Sequence, residues 1–85
     1  MQLTLRYFAS LREALGLSHE QITAAGTPAN VHDVLVLLRE RGGAWAETLA
    51  DGNAFRVAVD QRMGTLASPV HPGAEVAFFP PVTGG

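Results

Sequence analysis

The residues whose types and spacing point most directly to chemistry lie at the end of the chain. The last six are Pro80-Pro81-Val82-Thr83-Gly84-Gly85, and they follow a predicted strand that the prolines end, because proline has no N–H to donate to a strand ladder. Four residues beyond Pro81, extended at about 3.4 Å each, reach roughly 13 Å, enough to enter a buried active site of another protein. Two glycines fit a narrow channel that any Cβ would obstruct. The pattern predicts a functional tail, and the alternative is an ordinary frayed chain end.

Other residue types suited to catalysis are scattered. The three histidines, His19, His32 and His71, lie in different predicted elements without ligand-like spacing, so we predict solvent-facing imidazoles and no metal site. The eight carboxylates are dispersed, and no spacing pairs two of them for acid–base work. The chain has no glycine-rich phosphate-binding motif and no Cys, which excludes disulfides, Cys-ligated zinc and cysteine nucleophiles. The chain is poorly equipped as a self-contained enzyme.

Length and charge restrict the class of protein further. A chain of 85 residues, 47% of them hydrophobic, is one small domain with one core. Six basic residues, all Arg, stand against eight acidic ones without clustering, so we predict no nucleic-acid binding. The first residues lack the pattern of a signal peptide, and the longest aliphatic run, 34–38, is far short of the roughly 20 residues that span a bilayer. We therefore predict a cytoplasmic protein that does not bind membranes.

Apolar spacing predicts the elements that must position this tail. Leu3, Leu5 and Tyr7 alternate with other residues, as in a half-buried strand, whereas Val31, Val34, Leu35 and Leu38 have helical spacing. We predict strands over 2–8, 18–23, 55–60, 66–68 and 75–79, with a type II turn at Pro72-Gly73 before the last strand. A short helix begins with a Ser10-x-x-Glu13 capping box and stops at Gly16. The main helix is capped by Asn30 and ended by Gly42-Gly43, and a helical segment with Trp45 and Leu49 follows it. This order predicts an α+β domain with a mixed sheet of four or five strands packed on one main helix.

Placed on that order, the segment 75–85, Glu-Val-Ala-Phe-Phe-Pro-Pro-Val-Thr-Gly-Gly, resembles the carboxyl end of molybdopterin synthase small subunits. These are the ubiquitin-like sulfur carriers of molybdenum cofactor biosynthesis. Residues 7–13 and 57–61 resemble the family more loosely. Asp60 stands where the family commonly has Asn, and Ala74 replaces an acidic residue frequent in that turn. Neither departure touches the tail.

The resemblance implies a fold and a mechanism. Residues 1–81 would form a ubiquitin-like β-grasp domain, and 82–85 an extended Gly-Gly tail. The carboxylate of Gly85 would be adenylated by an E1-like activating enzyme that uses ATP and Mg, and would then become a thiocarboxylate. The chain itself would bind no cofactor. The large subunit, in a hetero-tetramer, would supply the catalytic side chains and receive the threaded tail residues Pro80, Pro81, Val82, Thr83 and Gly84.

Two other functions remain open at this point. The chain could be a sulfur carrier of another pathway or a ubiquitin-like protein modifier, which would transfer its carboxyl carbon to an amine rather than sulfur to a pterin. It could also be a plain interaction module, which would work without its last two residues. The chain has no Lys, so an activated carboxyl end cannot form isopeptide bonds to side chains of other copies of the same chain.

Strand parity predicts a docking surface. If Leu3, Leu5 and Tyr7 face the core, Phe8 faces outward, and the same argument turns Phe79 outward in the last strand. In a ubiquitin-like sheet these two strands are parallel neighbours. Met63, placed by the pattern in the turn after the third strand, would complete an apolar patch for a partner beside the root of the tail. The alternative is that Phe8 or Phe79 packs under the helices.

Overall fold

Five strands form one mixed sheet in the computed structural model, which describes residues 1–81. The strand order is β2-β1-β5-β3-β4; β1 and β5 are parallel, and the other neighbours are antiparallel. The elements are β1 (Gln2–Tyr7), α1 (Ala9–Leu15), β2 (His19–Thr23), α2 (Val31–Arg39), α3 (Gly43–Thr48), β3 (Arg56–Val59), β4 (Arg62–Gly64) and β5 (Glu75–Phe79). This is the ubiquitin-like β-grasp fold, so the predicted α+β class is confirmed, with five strands.

The core lies between one face of the sheet and the helices, and its members follow the predicted periodicities. The alternating residues of β1 are buried, as are the inward residues Val76 and Phe78 of β5. All four apolar residues that the sequence assigned to one face of α2 are also buried. The core cluster includes Leu3, Leu5, Tyr7, Val31, Val34, Leu35, Leu38, Leu49, Val57, Val76 and Phe78. Burial of this shared set holds α2 on the sheet.

Two helix caps and one turn lie where the sequence predicts them. The side chain of Asn30 accepts a hydrogen bond from the N–H of Asp33 at 3.0 Å, and the Asp33 carboxylate accepts one from the N–H of Ala29 at 2.9 Å. Gly16 ends α1 in the left-handed conformation, with φ of 72°. Gly73 has φ of 82° in the Pro72-Gly73 turn, which leads directly into β5.

The predicted capping box at Ser10 is wrong. α1 begins at Ala9, its N-cap is Phe8 without a side-chain cap, and Ser10 lies inside the helix. The backbone of Phe8 explains the shift. Its N–H still donates to the carbonyl of Phe78 in the sheet at 3.1 Å, while its own carbonyl accepts from the N–H of Leu11 at 3.1 Å. Pairing with β5 therefore fixes the strand-to-helix junction more strongly than a local serine does.

The fourth strand is also not where the sequence predicted it. Residues 66–68 form no strand, and β4 is Arg62–Gly64 instead. Asp60 and Gln61 have φ of 50° and 67°, so a two-residue hairpin turn returns the chain at once and pairs Arg62 with Val59. Met63 consequently lies in β4 rather than in a turn.

Glycines near position 42 have a different role from the predicted one. α2 already ends at Arg39, and Gly42 is instead the N-cap of α3, which begins at Gly43. Gly42 has φ of 75°, a conformation open to glycine and strained for other residues. The pair therefore connects two helices, and α3 contains the predicted Trp45 segment.

Helix lengths bear on membrane association. α2, with nine residues, is the longest helix within residues 1–81. A helix needs about 20 apolar residues to cross the hydrocarbon core of a bilayer. None of the helices in this part of the chain is long and apolar enough to do so.

The two capping assignments predict opposite results for two alanine substitutions. Asn30→Ala should lower the free energy of unfolding by about 1 kcal/mol, because the N–H of Asp33 loses its acceptor. Ser10→Ala should change it by less than about 0.5 kcal/mol, since Ser10 is exposed and caps nothing. Urea denaturation followed by circular dichroism measures both. A Ser10→Ala loss as large as that of Asn30→Ala would contradict the assignment.

Candidate functional site

The outer face of the sheet carries an apolar surface at the end where β5 finishes. The rings of Phe8 and Phe79 stack with centroids 4.7 Å apart and planes 5° from parallel. Phe8 is 37% exposed and Met63 is 55% exposed. Two neighbouring grooves of about 410 and 370 Å³ share Phe8, Met63 and Phe79 in their walls. We call these three residues the tail-root patch. The structure brings together Phe8 and Phe79, which strand parity assigned to one surface, and Met63, which the sequence placed in a turn beside them.

Two alanines form the floor of this surface. Ala58 and Ala77 lie opposite each other in the β3–β5 ladder, and each is only 4% exposed although it belongs to the outer face. Both line the 370 Å³ groove with Met63 and Phe79. Small side chains between large ones create a depression that a partner side chain could fill.

The start of the tail lines the larger of the two grooves. Pro80 and Pro81 line the 410 Å³ groove together with Arg56, Phe8 and Phe79. Arg56 pairs with Phe79 at the last position of the β3–β5 ladder. The tail therefore leaves the sheet directly beside the patch. The predicted threading residues Val82, Thr83 and Gly84 and the predicted reacting residue Gly85 lie outside the described residues.

A chain of polar contacts borders the patch on the side away from the tail. Arg6 Nε donates to Glu75 Oε1 at 2.8 Å, and the backbone N–H of Glu75 donates to Asp60 Oδ1 at 3.0 Å. The other carboxylate oxygen of Asp60 lies 2.7 Å from His71 Nε2. The Glu75 N–H and the His71 side chain lower the pKa of Asp60. These contacts neutralise Arg6 within the surface.

His71 faces oxygen atoms on both sides of its ring. Its Nδ1 lies 2.9 Å from the carbonyl oxygen of Pro72, and its Nε2 faces Asp60. Because both of these neighbours accept hydrogen bonds, only the doubly protonated imidazolium can donate to both. The Asp60 carboxylate and the Pro72 carbonyl accordingly raise the pKa of His71. The sequence had predicted only a solvent-facing side chain here, and His71 is 61% exposed.

A second polar cluster, which the sequence did not reveal, fastens β1 and β2 to the helices. The Tyr7 hydroxyl donates to Glu20 Oε2 at 2.8 Å, and Arg41 donates to both oxygens of Glu20 at 2.8 and 2.9 Å. The Arg41 guanidinium also lies 4.3 Å from the centre of the Trp45 ring. The one available signal was the phenol of Tyr7 on an inner face, since a buried hydroxyl needs a partner.

Charge states in this cluster follow from its packing. Burial, and then the hydrogen bond to Glu20, raise the pKa of Tyr7. Burial alone would raise the pKa of Glu20, but the hydrogen bonds from Arg41 and Tyr7 outweigh it and lower that pKa. The cluster is thus a neutral phenol held by a fixed ion pair, which stabilises the fold and offers no group for proton transfer. Within residues 1–81 no three His, Asp or Glu side chains are grouped so that they could hold a metal ion.

Comparison with known proteins gives consistent matches over nearly the whole chain. Residues 5–85 match the ThiS family. The chain is 39% identical over 83 residues to the molybdopterin synthase sulfur carrier subunit of Haemophilus influenzae, which covers 98% of this chain and 99% of that protein.

Two solved structures are also similar. The H. volcanii small archaeal modifier protein 1 superposes with a TM-score of 0.75 at 26% identity, covering 95% of this chain and 98% of that one. A chain from the complex of subunits 1 and 2 of the molybdopterin-converting factor of Helicobacter pylori gives a TM-score of 0.65 at 22% identity, with 100% of both chains covered. At 22% identity, the similarity to the Helicobacter pylori chain shows the fold alone.

The geometry around His71 predicts a pH-dependent contribution to stability. Because its pKa is raised in the folded state, protonated His71 stabilises the fold below its unfolded-state pKa, and this contribution is lost as pH rises through the folded-state pKa. Asp60→Asn removes the carboxylate, and Asn tolerates the positive φ at this position. The melting-temperature difference between the native protein and Asp60→Asn should therefore shrink as the pH is raised from mildly acidic to alkaline. NMR titration of the His71 ring should give a lower midpoint in the variant; an unchanged midpoint would contradict the contact.

Proposed function

The chain belongs to the ThiS family, and on that premise we propose that it is the sulfur carrier subunit of a molybdopterin synthase, carrying sulfur as a thiocarboxylate on Gly85. The observation that carries the proposal is the 39% identity to the Haemophilus influenzae sulfur carrier subunit over 98% of the chain. The family match extends to residue 85, so it includes the Gly-Gly pair. The geometry agrees, because the tail begins at an apolar surface suited to a partner.

The proposed chemistry concerns the main chain rather than side chains. A terminal carboxyl group has a pKa near 3.3–3.7, so it is ionised at neutral pH and is a poor electrophile. An E1-like activating enzyme would join the Gly85 carboxylate to the AMP portion of ATP, with Mg present, and release pyrophosphate. A sulfur donor would then displace AMP and leave a thiocarboxylate. The chain binds neither ATP nor metal itself in this scheme.

The second half of the cycle would take place in the large subunit. The thiocarboxylate sulfur would form a C–S bond to a side-chain carbon of the cyclic pyranopterin precursor and displace the oxygen substituent that this carbon carries, and water would then cleave the bond between sulfur and the Gly85 acyl carbon. Sulfur stays on the pterin as part of the dithiolene, and the carrier regains its carboxylate. The large subunit supplies the catalytic side chains, while this chain positions the sulfur. In this sense the chain is the non-catalytic subunit of an enzyme.

The tail-root patch would be the main contact with the large subunit. The similar Helicobacter pylori chain was solved in a complex of subunits 1 and 2, which supports docking of a domain of this fold on a partner subunit. Exposed, stacked aromatic rings with a neighbouring methionine are typical of the centre of a protein interface. We expect Phe8, Met63 and Phe79 to pack on the large subunit as Pro80 and Pro81 direct the tail inward. Two copies of each subunit would give a hetero-tetramer.

A second candidate function has one observation in its favour. The chain is 26% identical to the small archaeal modifier protein 1 over 95% of its length. A modifier would transfer the Gly85 acyl carbon to an amine of a target protein. Because this chain has no Lys, any conjugate between its own copies would have to use the α-amino group of Met1.

The proposed role of the tail predicts a separation between folding and function. Removal of Gly84 and Gly85 should leave the melting temperature unchanged but abolish both thiocarboxylate formation and dithiolene synthesis. Gly84→Val should act in the same direction, because its Cβ would obstruct a narrow channel. Intact mass after incubation with the activating enzyme, ATP and a sulfur source would show the replacement of one carboxyl oxygen by sulfur.

The same reconstitution distinguishes the two functions. A chain that becomes a thiocarboxylate and restores dithiolene synthesis supports the carrier role. Dithiolene formation by the chain lacking both glycines would refute it. If the acyl carbon instead appears in isopeptide bonds to other proteins and no sulfur reaches the pterin, the modifier role is correct.

The tail-root patch predicts losses of affinity that exceed losses of stability. Met63→Ala should leave the melting temperature nearly unchanged, since Met63 is 55% exposed, and should weaken binding to the large subunit by about 2 kcal/mol if it is a hot spot. Phe79→Ala should weaken binding at least as much, with some loss of stability because Phe79 is half-buried.

Leu66→Ala is the matched control for these variants. Leu66 is 37% exposed, as Phe8 is, but it lies in neither groove beside the tail. Its affinity for the large subunit should stay within twofold of the native value. Titration calorimetry and thermal melts on all three variants test the surface. Lost stability with unaltered affinity for Phe79→Ala and Met63→Ala would rule out the patch.

A further inference from the structure

Arg56 holds an unusual position within the apolar surface. It lies on β3 opposite Phe79, at the end of the ladder from which the tail departs. Its side chain is exposed and lines the 410 Å³ groove together with Pro80 and Pro81. A positive charge thus stands at the exit of the tail, surrounded by apolar residues.

Arg56 differs from three other arginines, which are paired with carboxylates in the fold. Arg6, Arg39 and Arg41 form ion pairs with Glu75, Asp51 and Glu20 at 2.8, 3.0 and 2.8 Å. In the stretch 1–81, no carboxylate lies within ion-pair distance of Arg56. Arg6, which lines the neighbouring groove on the same face, is already neutralised by Glu75. Among the described residues that line the two grooves, Arg56 is therefore the one cation without a carboxylate partner, and it lies on the tail side.

Docking on the tail-root patch must remove water from this guanidinium. Burying a charge without a counter-charge is costly, and a partner that covers Phe79 and Pro80 cannot avoid Arg56, which lines the same groove. A carboxylate compensates best, because its two oxygens match the planar fork of the guanidinium. We infer that the large subunit carries an acidic side chain that pairs with Arg56 at the exit of the tail. This inference rests on the proposed function.

The ion pair between Arg56 and this acidic side chain would also select the orientation in which the partner binds. The patch is apolar and would accept a partner in several orientations, whereas a single charge at one end selects one of them. Because Arg56 lies where the tail leaves the sheet, the selected orientation is the one that aligns the tail with the partner's entrance. Arg56 would thus be a specificity-determining residue of the interface, and it would make the association sensitive to salt.

Charge reversal at two arginines of the same hairpin tests the inference. Arg56→Glu should raise the Kd for the purified large subunit of the same organism at least about tenfold at low salt. Arg62→Glu is the matched control. It makes the same change in net charge. Arg62 precedes Met63 in β4, where successive side chains alternate between faces, so the Arg62 side chain points to the face of the hairpin opposite Met63. Its Kd should stay within about twofold of the native value.

Salt dependence provides the second readout. Binding of the native chain and of Arg62→Glu should weaken as salt rises, because salt screens the Arg56 ion pair. Binding of Arg56→Glu should be insensitive to salt or strengthen, since salt then screens a repulsion. Thermal melts verify that both variants are folded. Equal Kd values and equal salt slopes for the two variants would overturn the inference.

Met63→Ala in the same assay separates this inference from the proposed function. If Met63→Ala weakens binding and Arg56→Glu does not, the patch stands and the acidic partner residue is refuted. If the native chain does not bind the large subunit at all, the proposed function fails and the inference fails with it. Weaker binding by Arg56→Glu than by Arg62→Glu, together with an altered salt dependence for Arg56→Glu, supports the inference and the proposed function.

Discussion

The parallel pairing of β1 with β5 is the contact on which the rest of the structure depends. It places Tyr7 beside Phe78 on the inner face, where both are fully buried. The next backbone hydrogen bond, from the N–H of Phe8 to the carbonyl of Phe78, continues the ladder and brings Phe8 against Phe79 on the outer face. Because side chains alternate along a strand, one register sets the core and the docking surface together. A slip of one residue would exchange the two faces and destroy both.

Most functional groups in residues 1–81 are occupied by the fold itself. Glu20 accepts from Tyr7 and Arg41, and Asp60 accepts from the Glu75 N–H and contacts His71. These contacts tie strands and turns together, so the side chains in them stabilise the fold. This arrangement is consistent with a protein whose reactive atom belongs to its main chain. In the proposed function, the domain holds that atom at a fixed place relative to an apolar surface, and the partner proteins supply the catalytic groups.

The sequence predicted those parts of the fold that depend on local patterns. Alternation identified the buried face of β1, an Asn-x-x-Asp spacing located the start of α2 at Asn30, and Pro72-Gly73 located the turn before β5. It failed where contacts distant in sequence decide the structure. Backbone pairing with β5 overrode the local capping signal at Ser10, and pairing with β3 across the hairpin placed the fourth strand at Arg62–Gly64. The function proposed for the tail follows from a family resemblance, because two glycines carry little information by themselves.

The position of β5 at the centre of the sheet has a mechanical consequence. The tail continues from this strand, which is bonded on one side to β1 and on the other to β3. A force that pulls on Pro81 acts along the strand axis, so it loads both ladders in shear, and their hydrogen bonds share the load instead of opening one after another. A tail attached to an edge strand would be held by one ladder instead of two. In the proposed function, this arrangement lets the domain withdraw its tail from a partner while the sheet stays intact.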